Sequence, residues 1–262
     1  MNTDLALQQN ARTALACLDL TSLNDADCET DIAALCEKAR NGVGLPAAVC
    51  VWPRLAAFAR SQLPPAIAVA AVANFPHGDV DVHAAVRDTV AIVESGAQEV
   101  DVVLPWRALQ AGDTKAASAL LRAVRRACEG RLLKVILESG NLADAALIRN
   151  ASQLALDEGA DFLKTSTGKS GTGATPEAAR VMLQVIQTRS TAGAKVVGFK
   201  ASGGVRKVAE AQVYIELVRE VLGVQAVGPS VLRIGASGLL DDIQAILGAP
   251  AQSATPSGSG TY

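Results

Sequence analysis

Short apolar runs alternate along this chain with longer stretches in which apolar residues recur every three or four positions. The runs are Leu15–Thr21, Ala47–Trp52, Ala66–Asn74, Glu99–Leu104, Leu132–Ser139, Phe162–Ser166, Val196–Ala201 and Val231–Ala236. Most are apolar nearly throughout rather than at alternate positions, which predicts strands of a parallel sheet covered by helices. The stretches between them predict amphipathic helices. Val82, Val86, Val90 and Val93 share a face between Val80 and Ser95, and Ala179, Met182, Leu183 and Ile186 share one between Pro176 and Gln187. Thr175 followed by Pro176 reads as a helix start, a capping hydroxyl and then a residue with no N–H to satisfy. Gly42, Gly96, Gly130, Gly159, Gly193 and Gly223 fall where helices should stop. An extra helix is predicted from Thr3 to Ala14, and Ala249 to Tyr262, rich in Ser, Gly, Pro and Thr, reads as a flexible tail.

Eight strand-then-helix units imply a parallel α/β sheet with right-handed crossovers. The favoured architecture is a (β/α)8 TIM barrel forming one domain over residues 1–248, followed by the tail, 249–262; 262 residues is a common barrel size. Periodicity alone does not show closure, so an open doubly wound sheet is the alternative. No G-x-G-x-x-G follows the first strand, which weakens its dinucleotide-binding version.

Composition narrows the function classes. Half the residues are hydrophobic but only 3% are aromatic, so Ala, Val, Ile and Leu must build the core and base-stacking platforms are not expected. A net charge of −2 gives no basic excess to steer the chain onto nucleic acid or an anionic membrane. The start, Met1 to Leu15, contains Asp4 and lacks the pattern of a secretory signal. The longest uncharged stretch, Ser61 to Gly78, is interrupted by Pro64, Pro65 and Pro76 and is too broken to span a bilayer. Five scattered cysteines without a CxxC pair suit a reducing cytoplasm. With two histidines and no His/Cys cluster at ligand spacing, neither a metal nor a cofactor is expected.

Charges inside the apolar runs carry the chemistry: Asp19, Asp101, Lys134, Lys164 and Lys200. A lone buried charge is costly unless it is paired or changes its protonation state. Structural ion pairs such as Asp101 with Lys200 are the plain reading of any one of them. Five together, mostly near the C-terminal ends of separate strands, favour a catalytic barrel mouth. Burial beside a second cation frees a lysine amine to attack a carbonyl. Lys164 and Lys200 sit on adjacent predicted strands about 4.8 Å apart. Spacing does not choose between them as nucleophile.

Glycine-rich loops follow the last three strands: Thr167-Gly168-Lys169, then Ser202-Gly203-Gly204-Val205-Arg206, then Gly235-Ala236-Ser237-Gly238. Barrels commonly hold phosphate there with backbone N–H groups, and Arg206 and Lys169 stand beside them. A phosphorylated substrate is expected.

These segments, with Leu18-Asp19-Leu20-Thr21-Ser22-Leu23-Asn24, Asn74-Phe75-Pro76-His77-Gly78, Glu99-Val100-Asp101-Val102-Val103, Phe162-Leu163-Lys164-Thr165-Ser166-Thr167-Gly168 and Gly198-Phe199-Lys200, resemble those of the deoxyribose-phosphate aldolase family. The order holds from about Asp19 to Leu240. The resemblance implies a class I, Schiff-base aldolase on a (β/α)8 barrel, acting on phosphosugar and aldehyde substrates in deoxyribonucleoside catabolism, with a homodimer as its assembly. It casts Lys164 as the Schiff-base lysine, Lys200 as the cation that activates it, Asp101 as the proton-relay carboxylate and Asp19 as a supporting acid. It also matches Asn24 and Cys50 to substrate-facing positions, although the catalytic roles do not need Cys50, which reads better as a small buried hydrophobe. It places Lys134 near the site, as a lining residue or a neutraliser, and His77 in a loop. A terminal tyrosine assists proton transfer at C2 in the family, which points to Tyr262. Fourteen extended tail residues reach about 46–50 Å, enough to return to the mouth.

Two departures stand out. Ser237 is followed by Gly238 where the family usually has a second serine, and Ala201-Ser202-Gly203-Gly204 replaces Pro-Ala-Gly-Gly. The first shifts phosphate binding toward backbone N–H groups. Two rivals are a phosphosugar isomerase that uses its lysines only as clamps and a non-catalytic phosphosugar-binding barrel.

Overall fold

Strand pleating sends alternate residues to opposite faces, and in this chain the two faces have different destinations. The computed structural model describes residues 2–40, 42–191 and 196–248. Its elements run α1 (Asn2–Ala16), β1 (Leu18–Thr21), α2 (Glu29–Arg40), β2 (Ala48–Val51), α3 (Pro53–Gln62), β3 (Ala68–Ala73), α4 (Val82–Glu94) and β4 (Glu99–Val103). There follow α5 (Trp106–Gln110), α6 (Thr114–Ala127), β5 (Leu132–Ile136), α7 (Ser139–Leu142), α8 (Ala145–Asp157) and β6 (Phe162–Lys164). The last are α9 (Pro176–Thr191), β7 (Gly198–Ser202), α10 (Val208–Leu222), β8 (Leu232–Ala236) and α11 (Leu239–Leu247). Each strand pairs in parallel with the next, and β8 returns to β1 with Leu18 opposite Ile234. The sheet is therefore a closed barrel, and the open alternative is excluded.

Outward residues such as Leu20, Val49, Val69, Val102 and Val135 join the helices in one continuous core. Inward, Cys50, Ala70 and Val72 form a separate small cluster with Leu23. Seven of the other inward positions, on six of the strands, are charged. Phe162 is among the largest fully buried side chains, and any side chain at Gly198 would run into its ring. Thr175 Oγ1 accepts from Ala178 N at 3.2 Å and caps α9 as its sequence indicates. Gly96, Gly130, Gly159 and Gly223 follow helix ends at positive φ; Gly193 lies outside the described residues. No described helix is long and apolar enough to cross a membrane.

Boundaries differ where one period runs into another. The first strand begins at Leu18 rather than Leu15, because Leu15 continues the buried stripe of Ala11 and Ala14 and belongs to α1. The fifth strand ends at Ile136, not Ser139, since Glu138 turns into the left-handed region at φ 55°. The sixth stops at Lys164, short of Ser166, and the third at Ala73, where Asn74 takes φ 54°. The seventh is displaced, starting at Gly198 and ending at Ser202.

Candidate active site

The pleat directs Asp19 (β1), Glu99 and Asp101 (β4), Lys134 (β5), Lys164 (β6), Lys200 (β7) and Arg233 (β8) into the barrel. Register then makes neighbours of Asp101 and Lys134, of Lys164 and Lys200, and of Lys200 and Arg233. All are buried.

The three lysines differ in how many carboxylates they meet. Lys134 Nζ donates to Glu99 Oε2 at 2.5 Å and to Asp101 Oδ1 at 2.8 Å, and lies 3.5 Å from Asp19 Oδ2. Lys200 Nζ donates to Asp19 Oδ2 at 2.5 Å and Asp101 Oδ2 at 2.8 Å. Lys164 Nζ donates to Asp101 Oδ2 alone, at 2.8 Å. Lys164 and Lys200 thus share one oxygen, which keeps their nitrogens within twice 2.8 Å of each other.

Protonation follows from those counts. Burial, reinforced by the Lys200 charge, pushes Lys164 below the usual lysine value of 10.5, and Asp101 opposes this only in part. Burial acts on Lys200 too, but Asp101 and Asp19 together outweigh it and raise its pKa. Lys134 is raised by Asp101, Glu99 and Asp19 against the same burial. Lys164 is also the member of the trio with residual exposure, 2% against 0% for the other two. The most available amine and the most accessible one are the same.

Burial alone would raise Asp101 and Asp19. Instead Lys134, Lys164 and Lys200 hold Asp101 well below the usual 3.8, and Lys200, Lys134 and Arg233 do the same for Asp19. An unfolded aspartate takes up its proton near 3.8, and these two do so only at lower pH. Below about 3.8 the unfolded chain therefore binds more protons, and acid favours unfolding. We expect these two carboxylates to leave Tm unchanged between about pH 7 and 5 and to make it drop steeply below about pH 4. Thermal melts that stay level down to about pH 3 would contradict the depressed carboxylates.

One inward step above the charged layer, Thr21, Ser202 and Gly235 line a cavity of about 280 Å³ at the C-terminal mouth. A side chain at Gly235 would lie 2.9 Å from Lys200 Cε, so this glycine leaves the space that Lys200 occupies. The rim carries Thr167, Gly168 and Lys169 from one loop and Gly203 to Arg206 from the next. Gly203 and Gly173 are packed backbone to backbone, and Gly203 O accepts from Ala174 N at 3.0 Å, which fixes the two loops together. Ser237, next to the uncapped start of α11 at Gly238, completes the rim. Open N–H groups at a helix start, with the exposed side chains of Lys169 and Arg206, suit a phosphate. A larger hollow of about 800 Å³ lies at the opposite end of the barrel, by Arg131 and Phe162. No inward lysine lines either cavity, but the smaller one lies directly above the charged layer, where Gly235 meets Lys200, and the chemistry belongs there.

The remaining expected residues divide. Val205 lines the mouth and is buried. Cys50 is fully buried and its thiol is raised by burial and then by Asp101, which fits a packing residue. Asn24 reaches the rim, but its amide donates to Asp27 Oδ1 at 3.0 Å and is occupied with its own loop. His77 is an exposed loop residue. Lys134 neutralises carboxylates rather than lining the cavity. Tyr262 lies outside the described residues.

Among the buried charges that escaped the sequence reading, Glu99, Arg233 and Glu138 bear on the site. Glu99 and Arg233 meet through Arg233 Nη2 and Glu99 Oε1 at 2.8 Å. Glu138 accepts from Thr167 Oγ1 at 2.6 Å and Ser170 Oγ at 3.0 Å, while Thr167 Oγ1 accepts from Lys169 N at 3.0 Å. Glu138 therefore holds the curl of the Thr167–Lys169 loop, at the cost of about 1–3 kcal/mol for its left-handed backbone. The signal was phase: Glu99 precedes Asp101 by two positions, and Glu138 follows Lys134 by four.

Comparison with known proteins agrees with the barrel fold. The pattern of DeoC/LacD family aldolases matches residues 13–244. A deoxyribose-phosphate aldolase from Agrobacterium fabrum (strain C58) is 45% identical over 253 residues, 95% of this chain and 96% of that protein. A crystal structure from Toxoplasma gondii ME49, assigned as a deoxyribose-phosphate aldolase, superposes with a TM-score of 0.85 at 25% identity, over 93% of this chain and 96% of the other. A tetrameric deoxyribose phosphate aldolase from Aeropyrum pernix shares the fold, with a TM-score of 0.66 at 22% identity over 92% and 97% of the two chains.

Proposed function

The chain belongs to the DeoC/LacD aldolase family, and from that premise we propose that it is a deoxyribose-phosphate aldolase whose Schiff base forms on Lys164. The reaction is the reversible cleavage of 2-deoxy-D-ribose 5-phosphate into D-glyceraldehyde 3-phosphate and acetaldehyde. The observation that carries the residue assignment is the single carboxylate contact of Lys164, against two and three for its neighbours.

Neutral Lys164 Nζ attacks the C1 aldehyde of the open-chain sugar, and loss of water gives an iminium. Its positive charge is an electron sink next to C2. Asp101, with Lys200 and a bridging water, takes the proton of the C3 hydroxyl. The C2–C3 electrons move toward the iminium nitrogen, glyceraldehyde 3-phosphate departs, and an enamine is left on Lys164. Protonation at C2 and hydrolysis release acetaldehyde and regenerate the amine. Asp19 holds Lys200 charged throughout. The phosphate sits against the N–H groups of Gly203, Gly204 and the start of α11, with Lys169 and Arg206 as counter-charges.

Incubation with acetaldehyde and borohydride tests this reading. Reduction should leave one ethyl group, mapped by mass spectrometry to Lys164, with activity lost. No adduct, which either rival function would require, rejects the reading, and an adduct on Lys200 rejects the assignment of Lys164.

Glu138→Ala should release the Thr167–Lys169 loop. We expect KM for deoxyribose 5-phosphate to rise about tenfold, on the scale of one lost charged hydrogen bond. Cleavage of unphosphorylated deoxyribose should change little. Equal losses on both substrates would mean that the loop does not serve the phosphate.

We also propose that Tyr262 assists C2 protonation. Removing it should slow turnover by about 10–100-fold with the melting temperature unchanged; an unaltered rate excludes the role. The five free cysteines are consistent with a reducing cytoplasm, which cell fractionation checks. A homodimer is the assembly we propose, and light scattering at twice 26.9 kDa distinguishes it from a monomer or tetramer.

A further inference from the structure

Glu99 and Arg233 are buried beneath the reacting amine and line no part of the mouth cavity. Arg233 is nevertheless fixed on every side. Its Nη1 donates to Asp19 Oδ1 at 2.7 Å and Glu99 Oε2 at 3.2 Å, its Nη2 to Glu99 Oε1 at 2.8 Å, and its Nε to Pro229 O at 2.6 Å. Its guanidinium lies 5.7 Å from the centre of the Phe162 ring, the inward residue just below Lys164 on β6. Asp19 connects it onward to Lys200, and Lys200 shares Asp101 with Lys164.

Within the eight strands, and among the described residues, three carboxylates face four cations. Asp19, Glu99 and Asp101 oppose Lys134, Lys164, Lys200 and Arg233. An uncompensated buried charge is expensive, so one cation is in surplus. An arginine cannot be the one to give up a proton. Lys134 and Lys200 each face more than one carboxylate. The remaining walls do not alter the count. Strand β2 offers only the Cys50 thiol, and β3 only Ala70 and Val72. At the mouth, Glu138 is tied to Thr167 and Ser170, and Lys169 is exposed to solvent.

We propose that the Glu99–Arg233 pair is a charge-setting positioning element: it fixes the buried cations at one more than the buried carboxylates, so that Lys164 is the amine left without a proton. This rests on Lys164 as the Schiff-base lysine. It also explains why the position requires arginine: a fourth lysine could surrender its own proton and leave Lys164 charged.

The test follows kcat/KM for deoxyribose 5-phosphate, and borohydride trapping on Lys164, as functions of pH. Arg233→Met removes a cation, so the interior needs the Lys164 proton to balance. Its acid limb should move to higher pH by about one unit or more. Glu99→Gln removes an anion and should move the limb the other way. The double variant restores the surplus of one, and its limb should return to within about 0.3 unit of the wild type. Mere mispositioning predicts neither opposite signs nor cancellation. Single variants that shift in the same direction, limbs that stay fixed while rates fall, or a double variant that stays shifted would each overturn the proposal. If Arg233→Met does not fold, the shift in Glu99→Gln and its cancellation in the double variant decide the matter. If neither single variant folds, Arg233→Lys decides: a limb that matches the wild type would overturn the need for arginine, and one moved to higher pH supports it. Wild-type protein that gives no Lys164 adduct would instead remove the functional reading itself.

Discussion

Lys164→Ala is expected to lose cleavage of deoxyribose 5-phosphate by four or more orders of magnitude, ~5.5 kcal/mol of barrier. Without the amine there is no iminium, and nothing else in the layer can take its place. Lys200 is held protonated by Asp101 and Asp19, and Lys134 by those two and Glu99. The same substitution should leave the fold intact. Asp101 keeps Lys134 and Lys200 as partners, and the amine removed is the one that carries no proton, so the buried charges stay balanced. We therefore expect a melting temperature within about 5 °C of the parent, since only the packing of one side chain at the cavity edge is lost. Residual activity above about 1% of the parent would show that another group forms the covalent intermediate.

Asp101→Asn is expected to damage both stability and chemistry, and in separable ways. Asp101 accepts from all three lysines, so with Lys164 unprotonated its loss leaves one buried cation without a matching carboxylate. Breaking such a buried contact costs about 3–5 kcal/mol. At 2–4 °C per kcal/mol for a chain of this size, Tm should fall by roughly 6–20 °C. Lys164 loses the one carboxylate that retains its proton, so its pKa falls further. Imine formation with acetaldehyde should therefore persist, trapped by borohydride at neutral pH. Cleavage should drop by about 10³-fold, because the C3 hydroxyl proton has lost its acceptor. Trapping and cleavage that fall together would reduce Asp101 to a structural residue.

The inward layer shows how far the sequence could be read. Asp19, Asp101, Lys134, Lys164 and Lys200 were visible because a charge inside an apolar run is conspicuous, and all five meet in the structure. Arg233 was as conspicuous in Val-Leu-Arg-Ile-Gly but carried no partner in view, since its partner Asp19 lies 214 residues away. Glu99 looked like the edge of a strand, and Glu138 like the end of one, until the pleat put both in phase with the interior. Asn24, expected at the substrate, reaches the rim of the mouth, and only the structure shows that its amide also donates to Asp27 in its own loop.

By itself the sequence determined the eight strand-and-helix units and the candidate charges, because short continuous apolar runs and a 3.6-residue period are local patterns along the chain. Resemblance to a family supplied the reaction. Only the tertiary structure decided that the sheet closes and why one amine among three differs from its fellows. That difference is a sum of burial and charge over residues delivered by separate strands, and no stretch of chain contains it.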